Sequence, residues 1–153
     1  MSRKLREKAD APKLKGKQKD QDQGCGSDQY PWISFRYMTA NREHSLAFLG
    51  SLDLRDRERT QAGLLTRLDE ISRFPWLYWM GMQKAAGLET LPADELEFLP
   101  GYGAPVTKDM TLYIFRFDTY QGSKKGRIIG FKLAPCSAYH IIGYDMNFSA
   151  YRH

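Results

Sequence analysis

Residues 111–117 read TLYIFRF, and two similar stretches follow it, RIIGFKL at residues 127–133 and AYHIIGY at residues 138–144. All three are rich in β-branched and aromatic residues, which favour strands. The link at residues 121–126 reads QGSKKG, with the glycines and polar residues of a hairpin turn, and residues 135–137 (PCS) form a second short link. These stretches predict three consecutive antiparallel strands.

An early strand and two helices are expected before this meander. Residues 32–38 (WISFRYM) favour a first strand. Asp53 can cap a helix with one apolar face, because the spacing of its apolar residues follows the helical period. That face consists of Leu64, Leu65, Leu68 and Ile71. Pro75 suits the first turn of a second helix over residues 76–86, and Gly87 suits its C-terminal end.

These elements together predict an α+β fold. A helical hairpin packs on one face of a four- to five-stranded, mainly antiparallel sheet, giving two layers. The connector at residues 88–105 is rich in proline and glycine, and residues 89–91 are its one candidate strand.

Composition divides the chain into a polar tail and one domain. Residues 1–29 contain no aromatic side chain and only Leu5 and Leu14 as large apolar groups, too few to offset the entropy of ordering, so disorder is expected there. Residues 30–153 then form a single α+β domain. The tail holds eight of the 23 basic and five of the 18 acidic residues, which leaves 15 against 13 in the domain. Such a balance gives little ground for inferring a polyanionic partner from charge alone.

Several classes of protein are excluded at this stage. The two cysteines, Cys25 and Cys136, form neither a disulfide framework nor a zinc motif, which favours a reducing compartment. The chain contains no signal peptide and no apolar run of about eighteen residues, so we expect a soluble, cytoplasmic protein without membrane contact. Asp145 and Asn147 make a poor metal site and are better explained by a turn after the last strand. We expect no metal and no cofactor.

Most residues capable of chemistry lie on the predicted meander and after it. Strict alternation of side chains places Arg116 opposite the aromatic face of its strand, and places Asp145 on the opposite face from His140. Register between the strands is not readable from one sequence. Several of four residues on these strands are expected to border one concave surface: Arg116, Arg127, Lys132 and His140.

Cleavage of RNA without a metal requires a cation near the phosphorus and a group that moves the 2′-hydroxyl proton. Arginine with histidine or tyrosine supplies both. The candidate catalytic residues are Arg116, Arg127, His140, Tyr151 and His153. The candidate nucleic-acid contacts are Lys124, Lys125, Lys132 and Arg152. The alternative is that these arginines and His140 only pack or solvate the strands. Phe148 and Tyr151 favour a C-terminus docked on the sheet, because their rings lose apolar burial in water.

The predicted order of elements and the ending Tyr151-Arg152-His153 resemble the RelE/ParE-like toxins of bacterial toxin–antitoxin modules, in particular the YoeB type. The segments WISFRY (residues 32–37), GRIIGF (126–131) and HIIGYD (140–145) are also similar to short uncharacterised proteins of bacteria and mobile elements. The first resemblance implies a ribosome-dependent messenger-RNA endonuclease, or a gyrase poison, neutralised by an antitoxin.

Two functions therefore remain open. The first is an RNA-cleaving toxin with an antitoxin partner and RNA or the ribosome as its target. The second is a phage or mobile-element inhibitor that binds a host protein without turnover.

Overall fold

The computed structural model describes residues 30–84, 86–133 and 137–152. The predicted tail, both cysteines and His153 lie outside these residues. The described elements are strand β1 (Trp32–Ser34), helix α1 (Leu54–Arg73), helix α2 (Trp76–Gly81), and strands β2 (Leu88–Pro92), β3 (Thr111–Asp118), β4 (Lys125–Phe131) and β5 (Ala138–Asp145). Short 3-10 turns cover Arg42–His44, Leu46–Ser51 and Ala93–Glu95. The fold belongs to the α+β class.

The five strands form one open sheet in the order β1-β5-β4-β3-β2. Strands β2 to β5 pair antiparallel, as expected for a meander, and the short strand predicted at residues 89–91 forms part of β2. Strand β1 pairs parallel with β5 at the other edge, so the sheet is mixed. No helix within the described ranges is long and apolar enough to cross a membrane.

Helix α1 begins where the sequence predicts. The Asp53 side chain accepts a hydrogen bond from the Asp56 N–H at 2.9 Å, which satisfies one of the free donors of the first turn. Leu64 and Ile71 are buried against the sheet. Leu65, predicted on the same face, is instead 65% exposed.

Two predicted elements are shorter in the structure. The first strand ends at Ser34 rather than residue 38, because Met38 N–H bonds back to the Phe35 carbonyl and closes a turn. Helix α2 ends at Gly81 rather than residue 86, with Met82 already extended. Glycine is a weak helix former, and the two indole rings of α2 are buried within its single turn and a half. Helix α2 does follow α1 directly, but it is too short to confirm the predicted helical hairpin.

Both faces of the sheet are covered. On one face, α1 and α2 pack on an aromatic core that includes Phe115, Phe117 and Tyr139, the face that the sequence predicts to be buried. On the other face, Ile114, Ile129 and Phe131 pack under the connector between β2 and β3 and under the C-terminal residues. The surface that carries Arg116 and Arg127 is thus roofed by the protein itself.

A β-bulge interrupts the pairing of β4 with β5. Ile129 pairs with Gly143 whereas Gly130 pairs with Ile141, so Ile142 is an extra residue in β5. The Ile142 carbonyl instead accepts a hydrogen bond from the Thr39 N–H at 2.8 Å. A side chain at position 143 would meet the Phe98 ring at 2.5 Å, which explains the glycine there. From Gly143 to Asp145, each residue of β5 therefore faces the side of the sheet opposite to the one predicted by strict alternation from His140.

Candidate active site

Four charged side chains form a row across β2, β3, β4 and β5 on the roofed face. Arg116 lies directly opposite Arg127, and Arg127 directly opposite Asp145. Glu89 on β2 shares this face, and its Oε2 accepts from Arg116 Nε at 3.3 Å and Nη2 at 3.1 Å. Lys84 Nζ lies 3.3 Å from the other oxygen of Glu89. We call Glu89, Arg116, Arg127 and Asp145 the charged row.

The charged row is largely out of water. The side chains of Glu89, Arg127 and Asp145 are 9%, 12% and 0% exposed. Arg116 is 26% exposed and Lys84 66% exposed, so the row opens to solvent at the β2 end. Charges are buried at a cost that only close pairing or a bound counter-ion offsets. The charged row is therefore the candidate functional site of this domain.

Arg127 stands at the centre of the row. Its guanidinium carbon lies 5.3 Å from the Phe148 ring and 5.4 Å from the Tyr151 ring. Its Nη1 is 3.9 Å from Asp145 Oδ2, an ion pair too long to be a hydrogen bond. The buried Nε and Nη1 atoms of Arg127 donate no hydrogen bond to the residues that the structure describes. Buried donors in a planar fork suit the oxygens of a phosphate group.

Tyr151 carries a phenolic hydroxyl into the same environment. Burial raises the pKa of Tyr151, and the nearby carboxylates of Glu89 and Asp145 act in the same direction while Arg127 and Arg116 oppose it. A tyrosine hydroxyl is protonated at neutral pH at its ordinary pKa, and the raised pKa of Tyr151 makes it a weaker acid. Tyr151 is therefore able to donate a hydrogen bond, and it gives up its proton only to a strong base such as an alkoxide.

The C-terminal residues are docked up to Tyr151, as the aromatic content predicts. Ala150 and Tyr151 are buried, and the Ala150 carbonyl accepts a hydrogen bond from the Glu97 N–H at 2.7 Å. The Asp145 carboxylate accepts from the N–H groups of Ser149 at 3.0 Å and Ala150 at 3.4 Å, so it caps the turn after β5. A turn does follow the strand, but these bonds reach four and five residues onward, whereas the predicted Asx-type turn would bond two residues on.

Deleting residues 149–153 is expected to lower the free energy of unfolding by about 2 kcal/mol or more, from the apolar burial of one aromatic side chain alone. Deleting residues 1–28 should leave the thermal midpoint unchanged if that tail is disordered as predicted. Thermal melts of both truncations measure this. A C-terminal truncation that melts like the full chain would contradict the docked terminus.

His140 does not join the charged row. It precedes Asp145 by five residues on β5, about 16 Å along an extended strand. Its ring packs 5.0 Å from Phe131 and 5.3 Å from Tyr37. Burial lowers the pKa of His140, and the charge of Arg36 lowers it further. His140 is thus not among the candidates that the strand pairing brings together, because it faces the same side as Arg127 but lies at the far end of β5.

The lowered pKa of His140 has a consequence for stability. The unfolded chain takes up a proton near the ordinary pKa of 6.5, while the folded protein does not until a lower pH. The free energy of unfolding should therefore fall as the pH drops below about 6.5. When the pH is lowered from 7.5 to 5.5, the free energy of unfolding measured by urea titration should fall less in His140→Gln than in the wild type. Equal losses in the two proteins would refute this assignment.

The lysines predicted to contact nucleic acid are dispersed. Lys124 Nζ lies 5.6 Å from the Phe148 ring and is near the charged row. Lys125 pairs with Asp118 across the β3–β4 turn. Lys132 lies on the helical side of the sheet, 4.9 Å from the Trp76 ring, and is excluded from the row.

Arg152 is exposed and lines a small cavity of about 310 Å³ with acidic neighbours, Asp94, Glu95 and Glu97. This setting disfavours a phosphate contact. His153, the remaining candidate, lies outside the described residues.

Sequence reasoning missed two members of the row, Glu89 and Asp145. Glu89 had one available signal, since it is a lone acidic residue inside a short candidate strand. No signal was available for Asp145, because no local sequence pattern predicts the bulge that turns its side chain towards Arg127.

The described residues contain no group of three or more histidine, cysteine or acidic side chains able to hold a metal ion. No protein-family model, curated protein or solved structure matches this chain.

Proposed function

We propose that this protein is a metal-independent endoribonuclease, acting as the toxin of a toxin–antitoxin module. The observation that carries the proposal is the buried juxtaposition of a carboxylate, two arginines and a protonated tyrosine: Glu89, Arg116, Arg127 and Tyr151. Acid–base cleavage of a phosphodiester requires these groups, namely a base, cations for the developing charge and an acid.

The reaction assigns one role to each side chain. The Glu89 carboxylate takes the proton of the 2′-hydroxyl, and the 2′-oxygen forms a bond to the adjacent phosphorus. Arg127 and Arg116 stabilise the additional negative charge on the phosphoryl oxygens. The bond from phosphorus to the 5′-oxygen breaks, and the Tyr151 hydroxyl gives its proton to that oxygen. The products are a 2′,3′-cyclic phosphate and a 5′-hydroxyl end.

This chemistry restricts the substrate to RNA, because DNA lacks the attacking hydroxyl. Lys124, beside Phe148 at the edge of the row, suits the backbone of a single strand, and aromatic rings next to basic groups suit its bases. The open β2 end, with Lys84 and Arg116, is the side from which we expect the phosphate to approach. These steps use protein side chains alone, without a metal or a cofactor.

The RelE/ParE-like resemblance supports the same proposal. The resemblance rests on an early strand, a helical hairpin, an antiparallel meander with basic residues and the ending Tyr151-Arg152-His153. The early strand and the meander occur here, whereas the helical hairpin is not confirmed. The resemblance implies an antitoxin partner, a ribosome-associated messenger RNA as target and action in the cytoplasm. We include all three in the proposal.

Growth of a bacterial host after induced expression tests the proposal in cells. The wild-type chain should arrest growth, and a double variant with Glu89→Gln and Arg127→Ala should not, provided that equal amounts of folded protein accumulate. Full arrest by the double variant would rule out catalysis at this site.

A second candidate, an inhibitor that binds a host protein without turnover, is favoured by one apolar groove. Phe35, Leu46 and Leu65 are 50%, 50% and 65% exposed. They line a cavity of about 390 Å³ between α1 and the first turns, and exposed apolar groups gathered in this way are typical of contact surfaces. Leu65→Ser with Leu46→Ser should then abolish growth arrest, whereas Glu89→Gln should leave it intact.

A further inference from the structure

The bulge in β5 turns the Asp145 side chain to the face of the sheet that a regular strand would turn it away from. With uninterrupted pairing, Tyr144 would lie opposite Arg127 and Asp145 would point to the helical side. The extra residue Ile142 shifts the pairing by one, and Asp145 then lies opposite Arg127. Bulges beside active sites often re-aim a side chain in this manner.

Asp145 contacts two parts of the site through different oxygens. Its Oδ1 accepts the N–H groups of Ser149 and Ala150, which fixes the turn that leads to Tyr151. Its Oδ2 lies 3.9 Å from Arg127 Nη1. The carboxylate is wholly buried, so neither interaction is weakened by water.

Among the groups that the structure describes around Arg127, the Asp145 carboxylate is the one that can orient the guanidinium. The rings of Phe148 and Tyr151 restrain the guanidinium, but rings do not determine which way its N–H groups point. The neighbouring Arg116 repels it and is itself bound to Glu89. Asp145 is the carboxylate placed opposite Arg127 on the next strand, and at 3.9 Å in a dry environment its charge attracts the guanidinium towards β5.

We propose that Asp145 is a positioning residue, which holds Arg127 and the turn bearing Tyr151 in one fixed arrangement, and that the β5 bulge exists to deliver it. The inference rests on the proposed function, because it assigns a role within the same site. Asp145 touches neither substrate nor the reacting atoms and acts through Arg127 and Tyr151.

The first test measures Arg127 directly in the full wild-type chain. Nitrogen-15 NMR reports the rate at which the Arg127 Nε proton exchanges with solvent, and the exposed Arg152 is the internal reference. We expect exchange at least tenfold slower for Arg127, with a single sharp resonance. Exchange as fast as that of Arg152 would overturn the inference, and this result needs no variant to fold.

Asp145→Asn isolates the charge, because asparagine retains an oxygen that can accept from Ser149 and Ala150. The Arg127 Nε signal should shift and exchange faster in this variant. Asp69→Asn is the matched control, since Asp69 forms an exposed ion pair with Arg73 at 2.9 Å on α1. The control should leave the Arg127 signal unchanged. An unchanged signal in Asp145→Asn would also overturn the inference.

Cleavage kinetics on a short RNA then distinguish a positioning role of Asp145 from a role in fold stability alone. Asp145→Asn should lower kcat at least tenfold and change KM less than threefold. In an Arg127→Ala background the same substitution should have no further effect on kcat, because the charge that it removes acts through Arg127, while the asparagine oxygen still caps the turn that leads to Tyr151. Equal losses in both backgrounds would contradict the positioning role. A wild-type protein that shows a protected Arg127 but cleaves no RNA would refute the proposed function and leave the positioning role standing.

Discussion

Glu89→Gln is expected to reduce the rate of RNA cleavage by about 10²- to 10⁴-fold, the usual range for loss of a general base. Glutamine has nearly the same shape and can still accept a hydrogen bond from Arg116, but it does not take up the 2′-hydroxyl proton. The loss should appear in kcat, because the substrate contacts assigned to the arginines remain. Initial rates on a labelled RNA oligonucleotide measure it.

The matched control for this substitution is Glu95→Gln. Glu95 is an exposed acidic residue on the connector. Its substitution makes the same chemical change and should leave cleavage unaltered. If Glu89→Gln cleaves as fast as Glu95→Gln, then Glu89 is not the base.

Arg127→Ala is expected to cost about 10²- to 10³-fold in kcat, the range found when one group that stabilises transition-state charge is removed. The substitution also leaves Asp145 buried opposite an alanine, which destabilises the fold. Arg127→Lys is therefore the more informative variant. Lysine keeps the positive charge but lacks the planar fork, so we expect it to restore the fold and only a small part of the activity.

Arg73→Ala controls for the loss of an arginine from an ion pair. Arg73 is 69% exposed at the end of α1, and its pairing with Asp69 should contribute little to stability. Near-wild-type cleavage is expected. Activity of Arg127→Lys equal to that of the wild type would show that charge alone suffices and that the fork has no role.

The local elements of this fold were largely predictable. The Asp53 cap, the start of α1 and the three late strands follow from side-chain capping and from alternating β-branched and aromatic residues. Such signals act within a few residues, so a single sequence contains them in full. The docking of Tyr151 was likewise predictable, because a large ring favours burial wherever a surface is available.

Long-range pairing was not predictable. The parallel contact of β1 with β5 joins residues more than a hundred positions apart, and no local pattern selects it. The β5 bulge depends on packing between Gly143 and Phe98 and on the bond from Thr39 to Ile142. Both are contacts between distant segments.

The dependence on long-range pairing also explains why only some residues of the charged row were predicted from the sequence. Arg116 and Arg127 were singled out by residue type, and the register places them side by side. His140 was singled out by type as well, but its position along β5 removes it from the row. Glu89 belongs to the site because β2 pairs with β3, which brings the Glu89 carboxylate to Arg116. Residue chemistry was readable from the sequence, whereas the grouping required the pairing of the strands.

Cleavage of RNA by the purified full-length protein, in buffer containing excess EDTA, tests the central claim most directly. One arm uses a free single-stranded RNA and a second uses messenger RNA on translating ribosomes, with the new ends identified by mass spectrometry. We expect 2′,3′-cyclic phosphate and 5′-hydroxyl ends in at least one arm with the wild type, and none with Glu89→Gln combined with Arg127→Ala. An absence of cleavage in both arms, or cleavage that persists in the double variant, would contradict the account.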